Sequence, residues 1–193
     1  MYMYRSRTSI SRDYFFPVEP DRGPPTGNTG FRIGSITKVF TALMSLMLRD
    51  SGMLKSLDDN VTNYLPEFSI QNPFQTHRGI TFRQLSSHMS GLPRNAPCPG
   101  IFDTGCNLSY EKIYENLSKM KLMWPPGFQP EYSNLGFGLL GRVLEKIQGP
   151  TWEDQVQKMV IEPLTMNNSG NSFTPETIKN LAVGYYSDGS KAG

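Results

Sequence analysis

The sequence predicts a helix-rich fold with little strand, and three observations carry that reading. Residues Val39, Phe40, Ala42, Leu43, Met44, Leu46, Met47 and Leu48 form a nearly continuous apolar run too short to span a bilayer. Residues Leu135, Leu139, Leu140, Val143, Leu144 and Ile147 repeat at helical spacing and stop at Gly149-Pro150. Between and beyond these runs, serines, threonines and prolines stand where helix caps are needed.

Taken in order, residues 1–29 are polar and rich in turn formers (Pro17, Pro20, Gly23-Pro24-Pro25, Gly27), which predicts an irregular arm or partial strand region, with one short strand over 8–16. Residues 30–193 read as one domain. Its first helix runs from Ser35 to about Asp50 and ends at Gly52; apolar on nearly every side, it is expected to be central. A short capped helix follows Leu57-Asp58-Asp59-Asn60 and stops at Pro66, and another spans 81–89 with Thr81 as N-cap. The helix over 109–119 has Ser109 as N-cap and Glu111 in its first turn, where a negative charge suits the helix dipole. Pro125-Pro126-Gly127 breaks the chain before the periodic 135–147 helix. A further helix opens at Thr151-Trp152 and runs to about Val160, and a last one starts at Thr174 with Pro175 in its first helical position.

Composition narrows the function classes. A net charge of +2, with lysines and arginines scattered and no basic stripe, gives no support to nucleic-acid binding. No stretch reaches the roughly 18 apolar residues that a membrane helix needs. No apolar leader is visible at the N-terminus. Cys98 and Cys106 flank a short loop that a disulfide would staple, or stand as two free thiols. Asn-x-Ser/Thr sequons at Asn60, Asn107, Asn116 and Asn167 tilt the reading toward an extracytoplasmic or secreted protein. His77 and His88 lie at no metal-ligand interval from the cysteines.

The chemistry-bearing feature is Ser35-Ile36-Thr37-Lys38. Residues three apart on a helix share a face, so a helix beginning at Ser35 would put the hydroxyl beside the amine. A hydrated lysine, with a reference pKa of about 10.4, is no base at neutral pH, so Lys38 must be partly desolvated to accept a proton. The unpaired N–H groups at a helix start would favour a developing oxyanion. The same letters also fit an N-cap serine and a solvated first-turn lysine, and the tetrad alone does not choose between them.

Its company does choose. Phe31-Arg32-Ile33-Gly34-Ser35-Ile36-Thr37-Lys38 is followed by Leu57-Asp58-Asp59, Tyr64-Leu65-Pro66-Glu67-Phe68, Gln84-Leu85-Ser86-Ser87-His88-Met89-Ser90-Gly91-Leu92-Pro93, and Tyr132-Ser133-Asn134-Leu135-Gly136. In order and spacing these segments resemble the serine β-lactamase and penicillin-binding DD-peptidase superfamily, in its class C-related branch, over residues 30–184. Among eukaryotic members the likeness is to a β-lactamase-like protein 1 type of sequence. The resemblance implies an α/β (α+β) β-lactamase/transpeptidase-like fold, here mostly the helical lobe with the antiparallel sheet incomplete. It implies Ser35 as the acylated nucleophile, Lys38 as its proton acceptor, Tyr132 as the phenol that shuttles a proton, and Asn134 as the residue that orients Lys38 and binds a substrate amide. Without that context Tyr132 reads as a core tyrosine and Asn134 as a helix N-cap. His88 is not assigned to catalysis; in relatives its segment looks structural, tying a loop by hydrogen bonds.

The implied activity is hydrolysis of an amide or ester in a small-molecule or peptide substrate through an acyl-enzyme, with no cofactor and no metal. Members of the superfamily complete the site with Lys/His-x-Gly on a strand. None is expected here after Tyr132, and His77-Arg78-Gly79 precedes Tyr132 and fits by chance. Loss of one oxyanion donor typically costs about 10²- to 10³-fold in rate. The expectation is therefore a fragment, inactive by itself and prone to self-association, or alternatively a non-catalytic relative that serves binding or assembly.

Overall fold

The computed structural model describes residues 2–4, 26, 29–74, 79–98, 108–185 and 188–192. They fall into two compact units, one formed by Met1–Thr37 with Val156–Gly193 and the other by Lys38–Gln155. The strand expected over 8–16 lies outside the described residues.

The larger unit is helical. Helix α1 covers Thr37–Asp50, α2 Phe82–Ser86, α3 Tyr110–Ser118, α4 Asn134–Gln148 and α5 Trp152–Val156, with a 3-10 turn at Val61–Asn63. Three of these elements begin on side-chain caps of the kind the sequence implies. Asn60 accepts from the Thr62 N–H, Ser109 from the Lys112 N–H, and Thr81 forms a reciprocal capping box with Gln84. The core is built from one face of each helix: Met44 and Leu48 from α1, Phe82 and Leu85 from α2, Leu117 from α3, and Leu140, Val143 and Leu144 from α4, all buried. Helix α2 packs on α4. Trp152 Nε1 donates to Thr41 Oγ1 at 3.1 Å, fastening α5 to the buried side of α1.

Helix α1 departs from expectation in two respects. Its start is two residues late, because Gly34 takes a φ of 49° and Gly34–Ile36 forms a 3-10 turn that feeds into the α-helix at Thr37. Nor is it buried all round. Phe40, Thr41, Met44, Ser45 and Leu48 face the core, whereas Val39 is 63% exposed and Leu43 and Leu46 each 38% exposed. The helix expected over 81–89 is also shorter, since His88 adopts a φ of 60° and turns the chain away after Ser86.

In the smaller unit, β1 (Tyr2–Tyr4) pairs antiparallel with β2 (Gly30–Arg32), and β3 (Gly184–Tyr185) with β4 (Lys191–Ala192). A parallel bridge joins Gly30 to Leu181, with Ala182 N donating to Gly30 O at 2.8 Å. Among the described residues the extended pairing in this unit is limited to these two-stranded pieces and that bridge, with no complete sheet. The helix expected from Thr151 to Val160 widens into a π-helix at Gln157–Ile161, where Glu162 N reaches back to Gln157 O. Helix α6, Pro175–Lys179, starts as expected on a Thr174 cap. No helix of the described residues is long and apolar enough to cross a membrane.

Gly91 shows how closely loops pass one another in the larger unit. It has a φ of 73°, its carbonyl accepts from Met123 N at 2.8 Å, and a Cβ there would overlap the Trp124 carbonyl oxygen. Gly91→Ala is therefore expected to destabilise the chain by more than about 2 kcal/mol in chemical unfolding, from backbone strain plus steric overlap. An unchanged midpoint would mean the two segments do not approach this closely.

Candidate active site

Of the sequence-predicted residues, the fold brings Lys38 and Tyr132 together. Lys38 stands half-buried in the first turn of α1, with Nζ 4.8 Å from the centroid of the Tyr132 ring and 5.8 Å from that of Phe137. Tyr132 lies on the extended bend that leads into α4 and is half-buried. The Arg94 guanidinium carbon is 5.0 Å from the same ring centre, and the His88 imidazole stacks on it at 4.4 Å with an interplanar angle of 30°. One phenol ring thus carries two cations and an imidazole around it, an arrangement favoured by the negative face of the aromatic ring.

Asn134 is the first residue of α4 rather than its cap, and its side-chain nitrogen donates to Asn95 Oδ1 at 3.0 Å. It also lines a cleft of about 270 Å³ between α3 and α4, walled chiefly by Tyr110, Ile113, Tyr114, Leu135 and Leu139. Ser35 sits exposed on the 3-10 turn Gly34–Ile36, which belongs to the smaller unit, while Lys38, Tyr132 and Asn134 belong to the larger.

Ser133 holds the bend in shape. Its Oγ donates to Pro93 O at 2.7 Å and accepts from Gly136 N at 2.8 Å, while its own N–H donates to His88 Nδ1 at 3.1 Å. Asn134 N and Leu135 N both donate to Arg94 O, at 2.7 and 3.2 Å. The first three N–H groups of α4 are therefore occupied by protein acceptors. This helix end is a joint, not an open anion site.

His88 closes the other side. Its carbonyl accepts from Glu131 N at 2.8 Å, so backbone and side chain of one residue grip the chain on both sides of Tyr132. Burial, and then the positive charge of Lys38, hold the imidazole pKa below its usual value. An Nδ1 that accepts a hydrogen bond must carry no proton, which agrees with that direction.

Sequence reasoning missed Ser133, Arg94 and Asn95. A serine three residues before Gly136, at the head of a periodic apolar run, is a readable N-cap signal. The roles of Arg94 and Asn95 depend on a contact between segments some forty positions apart and leave no local trace. A fourth omission corrects the expectation that no Lys-x-Gly follows Tyr132: Lys191-Ala192-Gly193 has those letters, and Lys191–Ala192 forms β4. Cys98 is buried and disulfide-bonded, and its candidate partner Cys106 lies outside the described residues, as do His77 and Arg78. Among the described residues no three His, Cys, Asp or Glu side chains cluster to hold a metal ion.

The chain is similar to several known proteins. The family model described as Beta-lactamase matches residues 7–193. The chain is 45% identical to Beta-lactamase-like protein 2 of Dictyostelium discoideum over 94% of its own length and 34% of that protein. It is 40% identical to Beta-lactamase-like protein 4 of the same organism over 83% of its length and 30% of that protein. Among solved structures it is similar to a beta-lactamase/D-alanine carboxypeptidase of Yersinia pestis complexed with citrate. That match has a TM-score of 0.74 and 29% identity, covering 84% of this chain and 46% of that one. The chain spans about a third of the length of these curated relatives.

Ser133→Ala removes an N-cap and leaves the Pro93 carbonyl without its donor. The expected loss is about 1–3 kcal/mol of unfolding free energy, with Ser133→Thr recovering part of it. Equal stability of the alanine variant and the wild type in urea would refute this account of the bend.

Proposed function

The chain belongs to the beta-lactamase family, and from that premise we propose that it carries the nucleophile-bearing part of a Ser-x-x-Lys serine hydrolase, working within a longer protein on an amide or ester bond. In this reading the Ser35 Oγ lone pair attacks the substrate carbonyl carbon as its proton passes to Lys38, directly or through Tyr132. The tetrahedral oxyanion collapses, the carbon–leaving-group bond breaks, and the same proton goes to the departing amine or alcohol. An ester to Ser35 Oγ remains, and water hydrolyses it by the reverse proton path. Asn134 holds the amide next to the scissile bond, and the neighbouring cleft takes an apolar substituent of a small-molecule or peptide substrate.

The observation that supports this most directly is the approach of Lys38 Nζ to the Tyr132 ring at 4.8 Å. It joins the Ser-x-x-Lys and Tyr-x-Asn segments, which nothing in local sequence requires to meet.

A second reading, a non-catalytic binding or assembly role, is favoured by the incomplete sheet and by the exposed apolar residues Val39, Leu43 and Leu46 of α1. The same two features lead us to expect the 193-residue chain alone to be inactive and to associate with itself. The disulfide at Cys98 favours an extracytoplasmic, oxidising location for the parent protein.

Full-length protein is expected to be labelled covalently by a fluorescent penicillin or activated ester. Ser35→Ala should abolish labelling, and Lys38→Met or Tyr132→Phe should slow it about 10²- to 10⁴-fold; the 1–193 chain should not label. Absence of Ser35-dependent labelling in the full-length protein would favour the non-catalytic reading. For association, sedimentation velocity of 1–193 should show concentration-dependent oligomers that Val39→Ser/Leu43→Ser diminishes. A monomer at all concentrations would count against it.

A further inference from the structure

The candidate site contains a titratable group that the proposed chemistry does not use, and its contacts surround Tyr132, which that chemistry does use. His88 occupies a left-handed backbone conformation, with a φ of 60°, which histidine adopts only at a cost unless its surroundings enforce it. That conformation lets its carbonyl accept from Glu131 N at 2.8 Å while its Nδ1 accepts from Ser133 N at 3.1 Å. The imidazole also stacks on Tyr132 at 4.4 Å and lies 5.0 Å from the Phe137 ring. The residue between the two gripped amides is Tyr132.

We propose that His88 is a proton-sensitive positioning residue that holds the Tyr132 bend in place only while its imidazole is neutral. Neutral imidazole with its proton on Nε2 offers Nδ1 as an acceptor, and Ser133 N–H uses it. Protonation turns Nδ1 into a donor facing another donor, so the bond is replaced by an N–H to N–H repulsion. It also adds a cation beside Tyr132, whose ring centre already has Lys38 Nζ at 4.8 Å and the Arg94 guanidinium carbon at 5.0 Å. Among the described residues the other groups against the ring are Phe137 and the Tyr132 phenol, neither of them a carboxylate, and Glu131 meets His88 through its backbone N–H.

The sign follows from linkage. The folded-state pKa lies below the unfolded value, because burial and Lys38 both oppose the charged form. The contribution of His88 is therefore complete above about pH 6.5, the unfolded value, and is lost progressively as pH falls toward the folded pKa. The role rests on the proposed function only in the importance it gives to Tyr132; the hinge itself does not require Ser35 chemistry.

The test uses nitrogen-15 NMR and amide exchange on the full-length protein. At pH 7.5 His88 should show the Nε2–H tautomer, and the Ser133 amide should exchange at least 10-fold slower than its unstructured rate. Titration of His88 to its charged form should erase that protection. In His88→Asn, whose side-chain oxygen can replace Nδ1 and which tolerates the left-handed conformation, protection should persist from pH 7.5 to 5. In His88→Ala it should be absent throughout. A proton on Nδ1 at pH 7.5, or Ser133 protection that survives protonation of His88, would overturn the proposal, even where a variant does not fold. Because these readouts need no turnover, a failure of Ser35-dependent labelling would be seen separately.

Discussion

The Tyr132 side of the candidate site depends on the three hydrogen bonds of Ser133. One hydroxyl bridges the Pro93 carbonyl and the Gly136 amide, and the N–H of the same residue reaches His88 Nδ1. A hydroxyl buried to 1% exposure has no water to fall back on, so each bond carries the desolvation cost of its partner. Through this residue the 88–95 loop, the Tyr132 bend and the start of α4 become one object. Whatever fixes Ser133 fixes the direction in which Tyr132 points toward α1.

That direction sets the electrostatics. Lys38 approaches Tyr132 from α1 and Arg94 approaches it from the loop after Pro93, while His88 covers the ring by stacking. Because α4 has its leading N–H groups tied to Arg94 O and Ser133 Oγ, its dipole end contributes mechanical order there instead of an open anion pocket. Positive character around the phenol comes from side chains, which can be tuned or removed singly. This differs from the helix-start contribution expected for Ser35, where a 3-10 turn after Gly34 intervenes before α1 begins.

Much of the helical framework was legible because it is written in local rules. Ser109, Thr81 and Thr174 cap their helices as their residue types require, and the run from Leu135 to Ile147 buries the face its spacing predicts. The ordered segments around Ser35, His88 and Tyr132 pointed to the family that the comparisons then showed. What was not legible depended on tertiary events. The positive φ values at Gly34 and His88 shortened two expected helices at their ends. The exposure of Val39 and Leu43 cannot be read from an apolar pattern, because hydrophobicity reports what a face prefers and not what covers it. The contacts of Arg94 and Asn95 arise only when distant loops meet.

One small feature bears on how this protein would have to be made. The side chain of Asn60 belongs to a glycosylation sequon, yet its oxygen already caps the turn at Val61–Asn63 by accepting from Thr62. Its nitrogen lies so near Gly79 that even a methyl-sized addition at that glycine would overlap it. Asn116 is likewise half-buried, with its amide directed at Pro97 O, whereas Asn167 stands exposed. Any oligosaccharide carried on the Asn60 nitrogen would have to be in place before this turn closes, because the closed turn leaves no room for one beside Gly79.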